Sequence, residues 1–99
     1  MLSKKELFNA KNAGRKIEDG ATFTVVNVGT FPDVDKDGNP VNVTALQTDT
    51  GEIYTSISAT IANSIDMLDD IIADEGSVTV QVHANTSNGG RKFYQLQII

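Results

Sequence analysis

The sequence predicts a mainly β domain with one central helix, and three observations support this fold class. Residues 78–84 (VTVQVHA) and 91–99 (RKFYQLQII) alternate between apolar and polar side chains, which is the period of a half-buried strand. Between residues 57 and 72, isoleucine and leucine instead recur at steps of three and four, the period of an amphipathic helix. A chain of 99 residues without cysteine is long enough for one domain and excludes a disulfide framework.

The N-terminal segment, residues 1–16, is predicted to be a short helix or a basic arm. Ser3 and Glu6 have the S-x-x-E spacing of a capping box, which favours a helix start before "KKELFNAKNA". Leu7 and Phe8 would supply its thin apolar side. A helix this short is marginal alone, so we expect it either to dock on the domain or to fray.

Three segments with strand composition precede the central helix, at residues 20–31, 41–48 and 53–57. The order strand, strand, strand, helix, strand, strand is that of the Greek-key barrel called the OB-fold. We therefore predict, for residues 17–99, a five-stranded OB-fold-like Greek-key barrel with one helix between strands three and four. An open meander with a helix packed on one face is the alternative.

The loop after the first strand, "FPDVDKDGNPV", contains D-x-D-x-D-G, the opening of a helix–loop–helix calcium site. Its aspartates are Asp33, Asp35 and Asp37, but the position that needs a bidentate glutamate is Thr44. The flanking segments are rich in valine, threonine and phenylalanine, which suit strands rather than helices. We therefore predict a connecting loop and no metal, with the three aspartates as an alternative, incidental ion site.

Charge is distributed unevenly along the chain, whose net charge is −5. Residues 1–16 carry a net +4 and the remainder carries −9. Because exposed charges are screened over about 8 Å at physiological ionic strength, a local basic patch can act despite an acidic far side. The alternative is a solvated segment that binds nothing. The bases of this possible DNA-binding arm are Lys4, Lys5, Lys11, Arg15 and Lys16.

Catalysis is not predicted. His83 is the only histidine, the chain has no cysteine, and no phosphate-binding or dinucleotide-binding glycine motif is present. No cofactor is therefore expected. The N-terminus lacks an apolar run of signal-peptide length, and no later run could span a membrane, so the predicted location is cytoplasmic.

Two segments resemble the single-stranded DNA-binding proteins of the protein-primed phages of the phi-twenty-nine type. The pattern G-x-[LI]-Y-[ST]-x-I-S corresponds to Gly51–Ser58, and T-S-x-x-G-x-x-F-[FY]-x-L-Q corresponds to Thr86–Gln97. The resemblance covers residues 19–99 and does not include the basic N-terminus. It implies an OB-type fold and sequence-independent coating of single-stranded DNA during phage DNA replication, in the host cytoplasm.

Single-strand binding without sequence preference requires cations for phosphates and aromatic faces for bases. In the last strand, Tyr94 shares the core side with Leu96, whereas Phe93 lies with Arg91 on the other side. Two interpretations of Phe93 stay open, a stacking platform and a ring buried under a helix or the N-terminal segment. The predicted DNA-binding residues are Tyr54, Phe93, Arg91, Lys92, Tyr94, Phe31, Asn88 and Lys36.

The predicted function is therefore a single-stranded DNA-binding protein, monomeric or weakly self-associating, with replication proteins as further partners. The predicted contact surfaces are the face of strands two and three and the loops 32–40 and 85–90. The alternative is a protein-interaction or structural module on the same barrel that binds no nucleic acid. Its docking surface would be the acidic helix face of Asp66, Asp69, Asp70 and Asp74.

Overall fold

The computed structural model describes residues 1–99 and contains three helices and one six-stranded sheet. The helices are α1 (Lys4–Ala13), α2 (Ala59–Ala62) and α3 (Ile65–Glu75). The strands are β1 (Arg15–Lys16), β2 (Thr22–Val34), β3 (Pro40–Thr48), β4 (Ile53–Ser56), β5 (Val78–Thr86) and β6 (Lys92–Ile98). None of the helices has the length and apolar character needed to cross a bilayer.

The sheet is a curled half-barrel with strand order β1-β4-β3-β2-β5-β6. The mainly β prediction is confirmed, and the antiparallel pairs β2–β3, β3–β4, β2–β5 and β5–β6 are compatible with an OB-like barrel. The predicted five-stranded OB-fold-like barrel is wrong in strand number. A sixth strand, β1, pairs in parallel with β4 and occupies the edge at which β4 would otherwise be free.

The long strand β2 produces the curl of the sheet. Its residues Thr22–Val25 pair with β5, whereas Val25 and the residues from Asn27 onward pair with β3, so Val25 pairs with both neighbours. The register shifts between Val25 and Asn27, which is a β-bulge, and bulges bend a strand and increase its twist. Both Val25 and Val28 are fully buried on either side of the bulge, so the bend keeps the core face continuous.

The single helix predicted between strands three and four is wrong, because two helices separated by a turn at Asn63 and Ser64 occupy this segment. The interruption allows Ile61 to pack with Ile17 and Val82, whereas Ile65 joins a different cluster. Helix α3 ends at Glu75, and the next residue, Gly76, caps it: its backbone is left-handed (φ 83°), and its N–H donates to the Ile72 carbonyl at 2.7 Å.

The main core lies between α3 and one face of the sheet. Its buried residues are Val25, Val28, Leu46, Ile65, Leu68, Val78 and Val80. Helix α1 packs on the other face, where Leu2 and Ala10 are buried against Ala45. The predicted capping box is present, because the Ser3 hydroxyl accepts from the Glu6 N–H and the Glu6 carboxylate accepts from the Ser3 N–H. The N-terminal segment is therefore docked on the sheet.

The junction between α1 and β1 requires glycine, which gives a first prediction. A Cβ at Gly14 would lie 2.5 Å from the Ala10 carbonyl oxygen and 2.6 Å from Thr55 Cγ2. We expect Gly14→Ala to lower the free energy of unfolding by about 1–3 kcal/mol, because the backbone must shift to relieve the clash. Urea denaturation followed by circular dichroism measures this change.

The matched control is Gly89→Ala, because a Cβ at Gly89 would meet nothing within 4 Å and its φ is not positive. We expect this control to stay within about 0.5 kcal/mol of the wild type. Equal stability of the two variants would contradict the packing described for Gly14.

Candidate nucleic-acid interface

The β5–β6 hairpin ends in a turn that exposes a cation and polar side chains. The Ser87 N–H donates to the Arg91 carbonyl (2.8 Å), and the Arg91 N–H donates to the Ser87 hydroxyl (3.3 Å). Gly90 has a φ of 80°, which favours glycine, and its N–H donates to the Ser87 carbonyl. The side chains of Asn88 and Arg91 are both exposed on this turn. The hairpin thus holds them at a defined place.

Tyr94 and Lys92 lie together on the core side of β6. Tyr94 packs against the cluster of Ile17, Ile61 and Val82, as its predicted core side requires. Its backbone carbonyl accepts a hydrogen bond from the Ser58 hydroxyl at 2.7 Å. Lys92 Nζ lies 5.5 Å from the centroid of the Tyr94 ring, which is within cation–π distance. A cation and an aromatic ring therefore adjoin at the start of β6.

Phe93 lies on the other side of β6, where it is half-buried and opposite Asn85. It belongs to none of the hydrophobic core clusters, and α1 packs against a different part of the sheet. On the same side of β6, Gln97 hydrogen-bonds the His83 ring at 2.8 Å. The structure therefore places Phe93 beside polar side chains, and its contact with DNA stays a prediction.

Tyr54 is engaged within the fold on one side of its ring. The ring stacks on Phe23 with centroids 4.6 Å apart and planes 6° from parallel. Its hydroxyl donates to Glu52 Oε2 at 3.0 Å, and this hydrogen bond is the main cause of a raised Tyr54 pKa. Arg15 lies 3.9 Å from the same carboxylate oxygen. Any base that stacks on Tyr54 must therefore use the ring face that Phe23 leaves free.

Both faces of β3 are covered, which affects the predicted surface of strands two and three. The four consecutive residues Val43–Leu46 are all buried, although their side chains alternate between the faces of the sheet. Phe31 packs against the cluster of Leu2, Ala10 and Ala45 beneath α1. The centre of this surface is therefore occupied by the protein itself, and Phe31 contributes to packing.

The first loop, residues 35–39, connects two strands as predicted. The Asp35 carboxylate accepts from the backbone N–H groups of Asn39 and Asp37, each at 2.9 Å, and these bonds lower its pKa, the Asn39 bond most. Asp33 accepts from the Val34 N–H. No group of three or more His, Cys, Asp or Glu side chains is placed to hold a metal ion. Lys36 is exposed at the tip of this loop.

The basic residues of the N-terminal segment are all exposed, on α1 and on β1. Lys11 Nζ lies 3.9 Å from Asp33 Oδ1, whereas Lys4 and Lys5 form no salt bridge. Phe8 is also exposed between these lysines, with 67% of its surface accessible. Sequence reasoning assigned Phe8 to the apolar side of the helix with Leu7. Neighbouring helical residues point about 100° apart, so the sequence alone does not show which of the two faces the sheet.

An open OB-like sheet that carries exposed cations beside aromatic rings is typical of nucleic-acid-binding modules. A family model described as phage single-stranded DNA-binding protein matches residues 2–99, nearly the whole chain. The chain therefore belongs to this family, that of the phi-twenty-nine type, and the resemblance seen in the sequence is confirmed. The match also includes the basic N-terminus, which the sequence-level resemblance did not cover. No curated protein and no solved structure matches the chain.

The hydrogen bond between Tyr54 and Glu52 gives a prediction on pH. In a Tyr94→Phe background Tyr54 is the only tyrosine, so tyrosinate absorbance reports its ionisation alone. We expect Tyr54 to ionise above the ordinary value of 10.0, and Glu52→Gln to lower its pKa towards that value. The hydrogen bond that raises this pKa also stabilises the folded state. Its contribution is complete below the unfolded-state pKa of about 10 and is lost as the pH rises through the folded-state pKa.

The matched control for this titration is Glu75→Gln at the end of α3, which removes the same charge far from Tyr54 in the sequence. It should leave the Tyr54 titration unchanged. An unaltered Tyr54 pKa in Glu52→Gln would show that the hydrogen bond is not its cause.

Proposed function

We propose that this protein coats displaced single strands without sequence preference during phage DNA replication in the host cytoplasm. The observation that supports this most is the composition of the β5–β6 hairpin. Phe93 and Tyr94 lie on opposite sides of β6, and Arg91 and Lys92 precede them directly. The start of one strand thus combines aromatic faces with two exposed cations.

The chemistry of these groups explains why base identity would matter little. Every base has a π-face, and each stacked base contributes about 1–3 kcal/mol to single-strand binding. Guanidinium and ammonium groups attract phosphates irrespective of the base attached. The side-chain amide of Asn88 can add a hydrogen bond to the sugar–phosphate backbone. Affinity would therefore come from features that all single strands share.

Family membership favours one of the two functions predicted from the sequence. Membership of a single-stranded DNA-binding family supports single-stranded DNA as the partner and disfavours a module that binds no nucleic acid. The acidic side chains of α3 nevertheless suit contacts with basic surfaces of other proteins. Replication proteins as further partners, and a monomeric or weakly self-associating state, belong to this proposal.

Binding can be tested through the intrinsic fluorescence of the two tyrosines, since the chain contains no tryptophan. We expect oligo-dT and a mixed-sequence oligonucleotide of equal length to quench this fluorescence with similar affinity. Added salt should reverse the quenching, because phosphate contacts release counterions. A strong preference for one sequence, or no quenching with micromolar protein at low salt, would overturn the proposal.

The role of Phe93 gives a separate prediction. We expect Phe93→Ala to weaken oligo-dT binding by about 1–3 kcal/mol, because one base loses its stacking partner. Fluorescence titration measures the affinity, and a thermal melt shows whether the variant is folded.

Gln97→Ala is the matched control, since Gln97 lies on the same side of β6 but is exposed and polar. It should bind like the wild type. If folded Phe93→Ala binds as tightly as Gln97→Ala, Phe93 is not a stacking residue.

A further inference from the structure

The outward face of α1 presents one aromatic ring surrounded by cations. Phe8 is 67% exposed. Lys4 lies four residues before Phe8, Lys5 three residues before it and Lys11 three residues after it. Residues three or four positions apart are neighbours on the surface of a helix. A shallow, open depression is lined by Lys4, Lys5, Phe8 and Asn9. We call the surface of Lys4, Lys5, Phe8 and Lys11 the α1 platform.

The cations of the α1 platform contribute little to the fold. Lys4 and Lys5 lie in the first turn of α1, where the helix dipole disfavours positive charge, and neither forms a salt bridge. Lys11 lies 3.9 Å from Asp33 with 52% of its side chain exposed, and exposed pairs of this kind stabilise a protein weakly. An arrangement that works against the local stability of the helix points to a function.

The fold holds this surface at a fixed place. Leu2 and Ala10 are buried against the sheet, and the Leu2 N–H donates to the Val28 carbonyl at 2.7 Å. The capping box of Ser3 and Glu6 fixes the start of the helix. A surface held in this way loses little conformational entropy when it binds a ligand. The exposed ring of Phe8 is therefore presented in advance of binding.

We infer that the α1 platform is a second contact site for single-stranded DNA, at which an unpaired base stacks on Phe8 and the adjacent phosphates meet the lysines. The inference rests on the proposed function and extends it to a residue and a surface outside the hairpin. Helix α1 packs on β2, β3 and β4, whereas the hairpin projects from β5 and β6. The two sites therefore contact different nucleotides of one strand, and linking them raises the overall affinity.

Charge complementarity favours DNA over an apolar protein partner as the ligand of this surface. Burial of Phe8 against an apolar surface would also bury its neighbouring lysines without counter-charges, which is unfavourable. A single strand instead supplies a π-face for the ring and an anion for each lysine. The surface thus fits alternating bases and phosphates better than it fits a hydrophobic patch.

A single tryptophan can report contact at this position, because the chain has none of its own. We expect oligo-dT to quench the emission of Phe8→Trp. Met67→Trp is the matched control, since Met67 is 69% exposed on the acidic helix α3. Its emission should not change. Anisotropy of a labelled oligo-dT measures binding independently, for both variants and for the wild type.

The two readouts separate this inference from the proposed function. If anisotropy shows binding but the Phe8→Trp emission is unchanged, or both variants respond alike, the inference is overturned and the proposed function stands. If labelled oligo-dT does not bind the wild type, the proposed function is itself overturned. Quenching of Phe8→Trp alone supports both.

Two further variants test the chemistry of the α1 platform. Phe8→Leu keeps an apolar side chain but removes the ring, and we expect it to weaken oligo-dT binding by about 5-fold to 150-fold, whereas Phe8→Tyr should bind like the wild type. The pair Lys4→Gln and Lys5→Gln should make the dependence of log K on log salt shallower by about 1.4. Wild-type affinity in Phe8→Leu and an unchanged salt slope would overturn the inference.

Discussion

The structure depends on a constraint in β2, which must pair with β5 at one end and with β3 along the rest of its length. The register shift in the pairing with β3 directly follows Val25, the one residue of β2 that pairs with both β5 and β3. A straight strand would give a flatter sheet, and α3 could not cover residues on both sides of the shift. Because β2 begins at Thr22, opposite Gln81, the later part of β5 extends beyond it and carries the hairpin outward. The position of the hairpin therefore follows from the point at which β2 begins.

The curled sheet does not close into a full barrel. Aromatic rings pack in the gap between its unpaired edges. The two edge strands, β1 and β6, do not pair with each other. Ile17, which directly follows β1, forms a cluster with Ile61 and Val82, and Tyr54 and Tyr94 pack against this cluster. The two tyrosine rings thus use part of their surface to stabilise this cluster. Helix α1 meanwhile covers one face of β3 while α3 covers the other. Helix α1 therefore covers part of the sheet surface, and its own outward face, which carries lysines and an aromatic ring, is exposed instead.

Local patterns in the sequence predicted the elements whose stability is local. The alternation of β5 and β6 and the capping box each reflect a short-range requirement. Strand β1 was missed because Arg15 and Lys16 have no apolar period, and their pairing depends on Ile17, which packs against distant residues. The break between α2 and α3 was missed because the steps of three and four continue across it. In the candidate site, alternation placed Tyr94 correctly, but only the docking of α1 shows that Phe8 is exposed.

The uneven charge of the chain explains how an acidic protein can bind a polyanion. Helices α1 and α3 lie on opposite faces of the sheet, since Ala45 packs with one and Leu46 with the other. Only the Met1 ammonium group reaches across to Asp69, at 3.3 Å. The molecule extends 37 × 29 × 20 Å, and screening over about 8 Å separates most charges on its two faces. The carboxylates of α3 would therefore hardly weaken the binding proposed at the lysines of α1. Near their own surface they would repel phosphates, which would favour a bound strand on the basic side of the protein.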